Sequence, residues 1–302
     1  MANQPRAIGL ALITLLMWST VATAFKLTLA HASVLQTLAI ASVVSSLVLV
    51  ILVVLSGKGA ALTDVFWDNW RFTLLAGLLN PVIYYLILFE AYDRLPAQLA
   101  QPINLTWTIV LSLMAGFFLK QRIRGFDYAA ALISYTGVLV IVSQRDVSQL
   151  LQADWIGVGL AIGSTLIWAG YWTLNIRDQR EPLIAMCLNF VIAAPVVLVI
   201  WWVFDGALPP VAGILGGFYI GLFEMSLAFV CWSLALKATD NAATISNLIF
   251  LSPFLSLQFI HFVLGEVIHW TTYAGLIIII AGIVFQQVLH RRAVVATVSA
   301  AP

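Results

Sequence analysis

The sequence predicts an all-α integral membrane protein of ten transmembrane helices, built as two inverted five-helix repeats with both termini in the cytoplasm. Three observations carry this. The first is composition. Of 302 residues, 62% are hydrophobic and 9% charged, against roughly 25% charged in a soluble domain. With 14 basic and 13 acidic side chains, a soluble protein of this size cannot clothe its surface. The mean hydropathy of +1.03 agrees. A water-soluble enzyme, a disordered chain and a secreted disulfide scaffold are excluded. The second observation is ten apolar runs near the length of about 20 residues that a spanning helix needs. The third is charge asymmetry. With the N-terminus inside, Arg6, Lys58, Arg71, Lys120, Arg122, Arg124, Arg177, Arg180, Lys237, Arg291 and Arg292 fall on the cytoplasmic side, and Lys26, Arg94 and Arg145 outside. Loops rich in Lys and Arg stay in the cytoplasm.

The runs follow in order, near 7–30, 34–55, 72–92, 96–119, 126–143, 155–176, 183–204, 211–236, 241–264 and 270–289. The first resembles a signal peptide, with Ala30-His31-Ala32 as a cleavage-like site. Its apolar stretch exceeds the usual h-region of about 7–15 residues, so it reads as a retained helix. Span three holds Asn80-Pro81, span four Pro102, span seven Pro195 and span nine Ser252-Pro253. Proline removes a backbone donor and frees a carbonyl, which inside a membrane must find a partner or line water. Pro81 and Pro253 read equally as hinges beside a substrate or as satisfied kinks, and Pro195 as a kink. Span six carries Gly159 and Gly163, and span eight Gly213, Gly217 and Gly221, which read as ridges for close helix packing. Cys187 and Cys231 lie in apolar runs and read as packed small hydrophobes.

Glu224 is the acid placed at the centre of a span. An ionised carboxylate there costs about 2.5–3.5 kcal/mol or more. It reads either as a site for a substrate ammonium or a coupling proton, or as a hydrogen-bonded structural acid. Lys26, Glu90 and Asp127 stand near span ends, where they can reach the interface. Trp18, Tyr84, Tyr85, Trp107, Trp168, Tyr171, Trp172 and Tyr219 lie mostly away from the interface belts. Their rings suit a cation or an aromatic ligand, or ordinary packing. Asn104, Trp107 and Thr108 share a face of span four, and Ser246, Asn247 and Phe250 a face of span nine. An amide pair there reads as a binder of a zwitterion or as interhelical glue.

The halves repeat weakly. At an offset of 150, Thr14, Trp18, Val21 and Phe25 meet Ser164, Trp168, Tyr171 and Asn175. At 145, Ala97 meets Ala242, Leu119 meets Leu264, Tyr128 meets Tyr273 and Gly137 meets Gly282. Five helices per copy turn the second copy over, and such inverted repeats mark secondary transporters. The units run 1–145 and 146–302.

The two five-helix halves, the early Trp in each and Leu264-Gly265-Glu266 closing span nine resemble the EamA family of the drug/metabolite transporter superfamily. The likeness covers nearly the whole chain and is greatest to the YddG-type exporters of aromatic and other amino acids. One departure is visible: the first half reads Leu119-Lys120-Gln121 where the second has Leu264-Gly265-Glu266. The resemblance implies export of amino acids from a bacterial cell across its inner membrane, by alternating access around a central cavity. The cavity residues expected are Trp18, Asn80, Tyr84, Asn104, Trp107, Trp168, Tyr171, Glu224 and Asn247, with Pro81 and Pro253 as breaks. Lipophilic cations are the alternative cargo. A nucleotide sugar would need Lys or Arg deep in a span, and none is there. An intramembrane enzyme would need paired carboxylates or a nucleophile–base pair. No phosphate loop is present, and His261, Glu266 and His269 match no metal spacing. No cofactor, metal or nucleic-acid partner is expected, and ten helices suffice to enclose a pathway in one chain.

Overall fold

The computed structural model describes residues 4–118, 123–143, 153–239 and 248–299, without the side chains of 115–117, 291 and 293–299. Among the described residues there is no strand. Among the described residues, eight helical runs are long and apolar enough to cross a membrane. They hold α1 (Gln4–Leu29), α2 (Val34–Leu55), α3 (Ala61–Gly77) continued into α4 (Tyr84–Arg94), α7 (Gly125–Val142), α8 (Trp155–Asn175), α9 (Pro182–Phe204), α10 (Val211–Tyr219) continued into α11 (Ala228–Ala238), and α13 (Trp270–Ser299). The other two expected spans are not single long helices. Span four is split at Thr106 into α5 (Ala97–Leu105) and α6 (Trp107–Phe118). Span nine is a 3₁₀ turn (Ile249–Leu251), α12 (Ser252–Phe259) and a π turn (Ile260–Leu264); its earlier residues lie outside the described ones.

One break sits where a proline removes a backbone donor. Leu78–Ile83 winds as a π-helical turn between α3 and α4, with Asn80 in extended backbone (φ −140°, ψ 113°) before a cis peptide to Pro81. The non-helical backbone at Asn80 thus stands immediately before Pro81. Pro253 opens α12 rather than interrupting it. The change from 3₁₀ to α lies just ahead of it, where its missing N–H costs nothing. Pro195 stays inside an unbroken α9. A second π turn, Ile220–Leu227, lies in the middle of span eight and carries Glu224.

The packing follows one pattern. The first span, α1, lies against the eighth and ninth (α10, α11 and α12), and the sixth, α8, lies against the third and fourth (α4, α5 and α6). The second and seventh pair as α2 with α9, and the fifth and tenth as α7 with α13. Small residues set how closely these helices approach. A Cβ built on Gly275 would lie 2.4 Å from Ile141 Cγ1 and 2.5 Å from the Gly137 carbonyl oxygen, and one on Gly282 2.3 Å from Ser134 Oγ. Gly213, Gly217 and Gly221 are pressed likewise against Ala32, Ile40 and Ala41, as their spacing predicts. Gly159 and Gly163 are the exception. Nothing lies within 4 Å of a Cβ on Gly159, and Gly163 meets only Ile87 at 4.0 Å. Among the described residues nothing presses on Gly159, and Gly163 meets α4 only at ordinary contact distance, so this pair does not set a close approach.

Polar side chains close the helix ends. Glu181 caps α9, accepting from Ile184 N–H at 3.0 Å, and bridges Lys58 (3.0 Å) and Lys237 (3.7 Å). Partial burial pushes the Glu181 carboxyl up, but the Lys58 and Ile184 hydrogen bonds and the two ammonium charges outweigh it and hold the pKa below 4.5. A carboxylate whose pKa falls on folding stabilises the fold above its unfolded value and loses that contribution as pH drops through the folded one. Wild-type protein should thus lose Tm as pH falls below about 4.5, and Glu181→Gln should lose less over that window; parallel melting curves of equal slope would contradict this role.

Asp127 does not reach the interface as its position near a span end predicts. It is buried and fully partnered: it accepts from Arg124 N–H at 2.7 Å as a helix cap, from Gln286 Nε2 at 2.8 Å, and pairs with His290 Nε2 at 2.8 Å. It ties the end of α7 to α13. Lys26 also has an assigned task, donating to the Tyr92 (2.7 Å) and Asp93 (3.4 Å) carbonyls at the end of α4, where a cation meets the negative pole of a helix.

Candidate functional site

Five spans bring their aromatic side chains to one cluster, and Trp168 is its hub. The Tyr84 ring stacks on Trp168 at 4.4 Å with 24° between planes, and Tyr171 stacks on the same indole at 5.5 Å. Trp107 and Trp172 meet it edge-on at 6.3 and 5.9 Å, and Trp107 stacks on Trp172. Phe229 bridges Trp168 (5.8 Å) to Trp18 (5.7 Å), and Trp232 closes on Trp18 at 5.5 Å. The sequence reasons for this are local. Trp168, Tyr171 and Trp172 fall at i, i+3 and i+4 on α8, so they share a face. Each such pair is worth about 0.5–1.5 kcal/mol beyond its burial.

A polar thread runs beside the rings. Tyr84 Oη donates to Asn104 Oδ1 at 3.5 Å, and Asn104 Nδ2 donates to Ser164 Oγ at 2.9 Å. Asn104 owes its position to the end of α5, and Trp107 to the start of α6. The Thr106 break thus separates two residues expected on one continuous helix. On the other side, Tyr84 lies 4.8 Å from Tyr85, whose Oη donates to Glu224 Oε1 at 3.1 Å. Glu224 is buried, and its Oε2 has no hydrogen-bond partner among the described residues. A buried carboxylate oxygen left without a donor is costly, and it is an acceptor aimed into the bundle.

Of the residues expected to line a cavity, Trp18, Tyr84, Trp107, Trp168 and Tyr171 meet in this cluster, Asn104 borders it, and Glu224 joins through Tyr85. Asn80 stands one turn before Tyr84, buried, with Oδ1 unpartnered among the described residues. Asn247 and Ser246 lie outside the described residues. Phe229 and Trp232 were not anticipated. Their i, i+3 spacing on the span that bears Glu224 was the available signal. Tyr85 and Trp172 read from sequence only as part of an aromatic set. Among the described residues no group of His, Cys, Asp and Glu is arranged to hold a metal ion.

Leu264-Gly265-Glu266 has a structural task the sequence did not disclose. Gly265 takes φ +70°, which suits a residue without a side chain. The turn brings Glu266 Oε1 to Ala97 N–H (2.9 Å) and Oε2 to Gln98 N–H (3.2 Å), so the carboxylate caps α5. Gln98 answers with a bond to the Val267 carbonyl (3.0 Å) and accepts from Thr272 (3.1 Å). The second half of the chain thereby closes a helix of the first. Lys26, Arg94, Gln98, Glu266 and His269 line a shallow open cleft beside this clamp, and none of the clustered rings reaches it.

Comparison with known proteins bears on the family and the fold. The EamA-like transporter family model matches the chain twice, over residues 5–143 and 155–286. A Clostridium kluyveri protein described as an uncharacterized transporter is 25% identical over 235 residues, covering 75% of each chain. A protein of known crystal structure, 21% identical, superposes with a TM-score of 0.67 over 96% of this chain and 99% of its own, a likeness of fold. With its multi-pass helical architecture and both halves matched, the chain belongs to the EamA-like transporter family.

Proposed function

We propose that the protein is a secondary transporter that exports aromatic and other neutral amino acids across a bacterial inner membrane. Ten spans form two inverted repeats, 1–145 and 146–302, with both termini cytoplasmic, and they alternate access to a central site. The double family match supports the repeat. So does the packing: exchanging each span with the one five places later maps the principal pairings onto one another, first-with-eighth onto sixth-with-third and second-with-seventh onto itself. The excess of Lys and Arg on one side supports the orientation.

The observation that carries the substrate reading is Glu224 Oε2, unpartnered among the described residues and linked through Tyr85 to the stacked rings. A carboxylate with aromatic faces suits an ammonium group, and the rings suit an apolar or aromatic side chain. Asn104 and Ser164 supply polar contacts for the rest of a zwitterion. The same acid favours a second reading, lipophilic cations, because among the described residues no cationic side chain joins the ring cluster to meet a substrate carboxylate. Neither reading calls for an enzyme's nucleophile–base pair or for a cofactor.

Counterflow of radiolabelled amino acids into liposomes, with and without a pH gradient, tests this. Uptake of several amino acids, chemically unchanged, is the expected result. No movement of any amino acid, with movement of a lipophilic cation, would replace the first reading by the second. Dependence on the gradient would add a proton to the cycle.

A further inference from the structure

Helix α3 begins eleven residues before the apolar run does, and this segment has no place inside the bundle. The continuous helical run Ala61–Arg94 has 34 residues, about 51 Å at 1.5 Å per residue. The hydrocarbon core is about 30 Å thick, and even a tilt of about 40° stretches the path across it only to about 39 Å. About 12–21 Å of helix must therefore leave the membrane core. The backbone departs from helical geometry at Asn69 (φ −131°, ψ 22°), which divides Ala61–Asp68 from the spanning part.

The divided segment is amphipathic. Asp64 and Asp68 stand at i, i+4 on one face, and Leu62 and Phe66 at i, i+4 on another; Phe66 and Trp70, also i, i+4, continue the apolar side, and Trp67 falls between Trp70 and Asp64. No residue from 61 to 72 is buried. Trp67 is 67% exposed and Trp70 42%. Trp67 stands edge-on to Phe66 at 5.1 Å, and the Arg71 guanidinium lies over the Trp70 ring at 5.2 Å. Leu62 touches the core of the bundle, but Phe66, Trp67 and Trp70 do not pack against it.

We infer that residues 61–69 form an interfacial helix that lies in the headgroup region of the bilayer, with Phe66 and Trp67 as its lipid anchors and Trp70 as a third just past its end. Tryptophan favours that layer, where its ring is apolar and its N–H wet, and an amphipathic helix binds there by its apolar face. The segment is continuous with the lipid-facing surface of α3, where Leu74, Leu75 and Leu78 are exposed. The occupant of the exposed face is therefore lipid.

Spin labelling of the full chain in phosphatidylcholine–phosphatidylglycerol vesicles tests this. In a Cys187→Ala, Cys231→Ala background, a nitroxide is placed through Trp67→Cys, Asp64→Cys or Asp68→Cys. The ratio of collisions with oxygen to collisions with a nickel chelate should be several-fold higher at 67 than at 64 and 68. Equal ratios dominated by the chelate would place the helix in water and overturn the inference. A label at 67 that is immobile and shielded from both quenchers would show protein covering this face, and would overturn it too. These side chains lie outside the core, so folding should survive. If the label at 67 does not give monodisperse protein, Phe66→Cys takes its place.

Discussion

Glu224→Gln should raise the apparent KM for an ammonium-bearing substrate about 10- to 150-fold while leaving the protein folded. The range follows from the value of a hydrogen bond to a charged group, about 1.5–3 kcal/mol. Glutamine keeps the Oε1 acceptor for Tyr85, bonded at 3.1 Å, and keeps the side-chain volume. What it removes is the negative charge at the unpartnered Oε2. Neutralising a buried acid relieves a desolvation cost, so the melting temperature should hold or rise. Higher stability with weaker transport would mark an acid retained for its ligand. Trp168→Ala should lower transport as well, because it removes the ring on which Tyr84 and Tyr171 stack. Liposome counterflow with a dilution series of substrate reads both. Unchanged KM in Glu224→Gln and unchanged rates in Trp168→Ala would detach transport from this cluster.

The same small change at two glycines should act with opposite sign. Gly275→Ala puts a methyl 2.4 Å from Ile141 Cγ1 and 2.5 Å from the Gly137 carbonyl oxygen. One neighbour is backbone and cannot swing away, so α7 and α13 must separate along the seam. Overpacking of this kind costs about 1–3 kcal/mol. Gly159→Ala meets nothing within 4 Å and should gain about 0.5–1 kcal/mol from reduced backbone freedom. Thermal unfolding of both variants in one detergent decides the matter. A Gly275→Ala protein as stable as the wild type would mean that the seam is looser than it stands.

The sequence disclosed what a membrane makes expensive. A charge in the middle of an apolar run, as at Glu224, and a proline inside one, as at Pro81, are costly enough to stand out. The rings were legible because Trp18 and Trp168 hold equivalent places in the two halves. What the sequence hid depends on contacts between distant segments. Glu266 reads as the close of a motif, and only the fold shows it holding the Ala97 and Gln98 amides. Asp127 sits near a span end, yet Gln286 and His290, some 160 residues later, bury it. The start of α3 was missed because hydropathy registers the hydrocarbon core and passes over a helix in the headgroups. Gly159 and Gly163 misled because their spacing shows where helices can approach, and not whether a partner is pressed against them.

The pairing of α7 with α13 has a practical consequence. These two helices hold chiefly to each other, through Gly137, Gly275 and Gly282 and through the bonds at Asp127. Helix α13 then runs unbroken to Ser299, 30 residues in all, about 45 Å and so well past a bilayer core of about 30 Å. That overhang is a stiff handle fixed to a brace. A helical partner protein joined to it in register would project from the micelle as an alignment mark for electron cryomicroscopy. A chain of only 33 kDa would then become large enough to image.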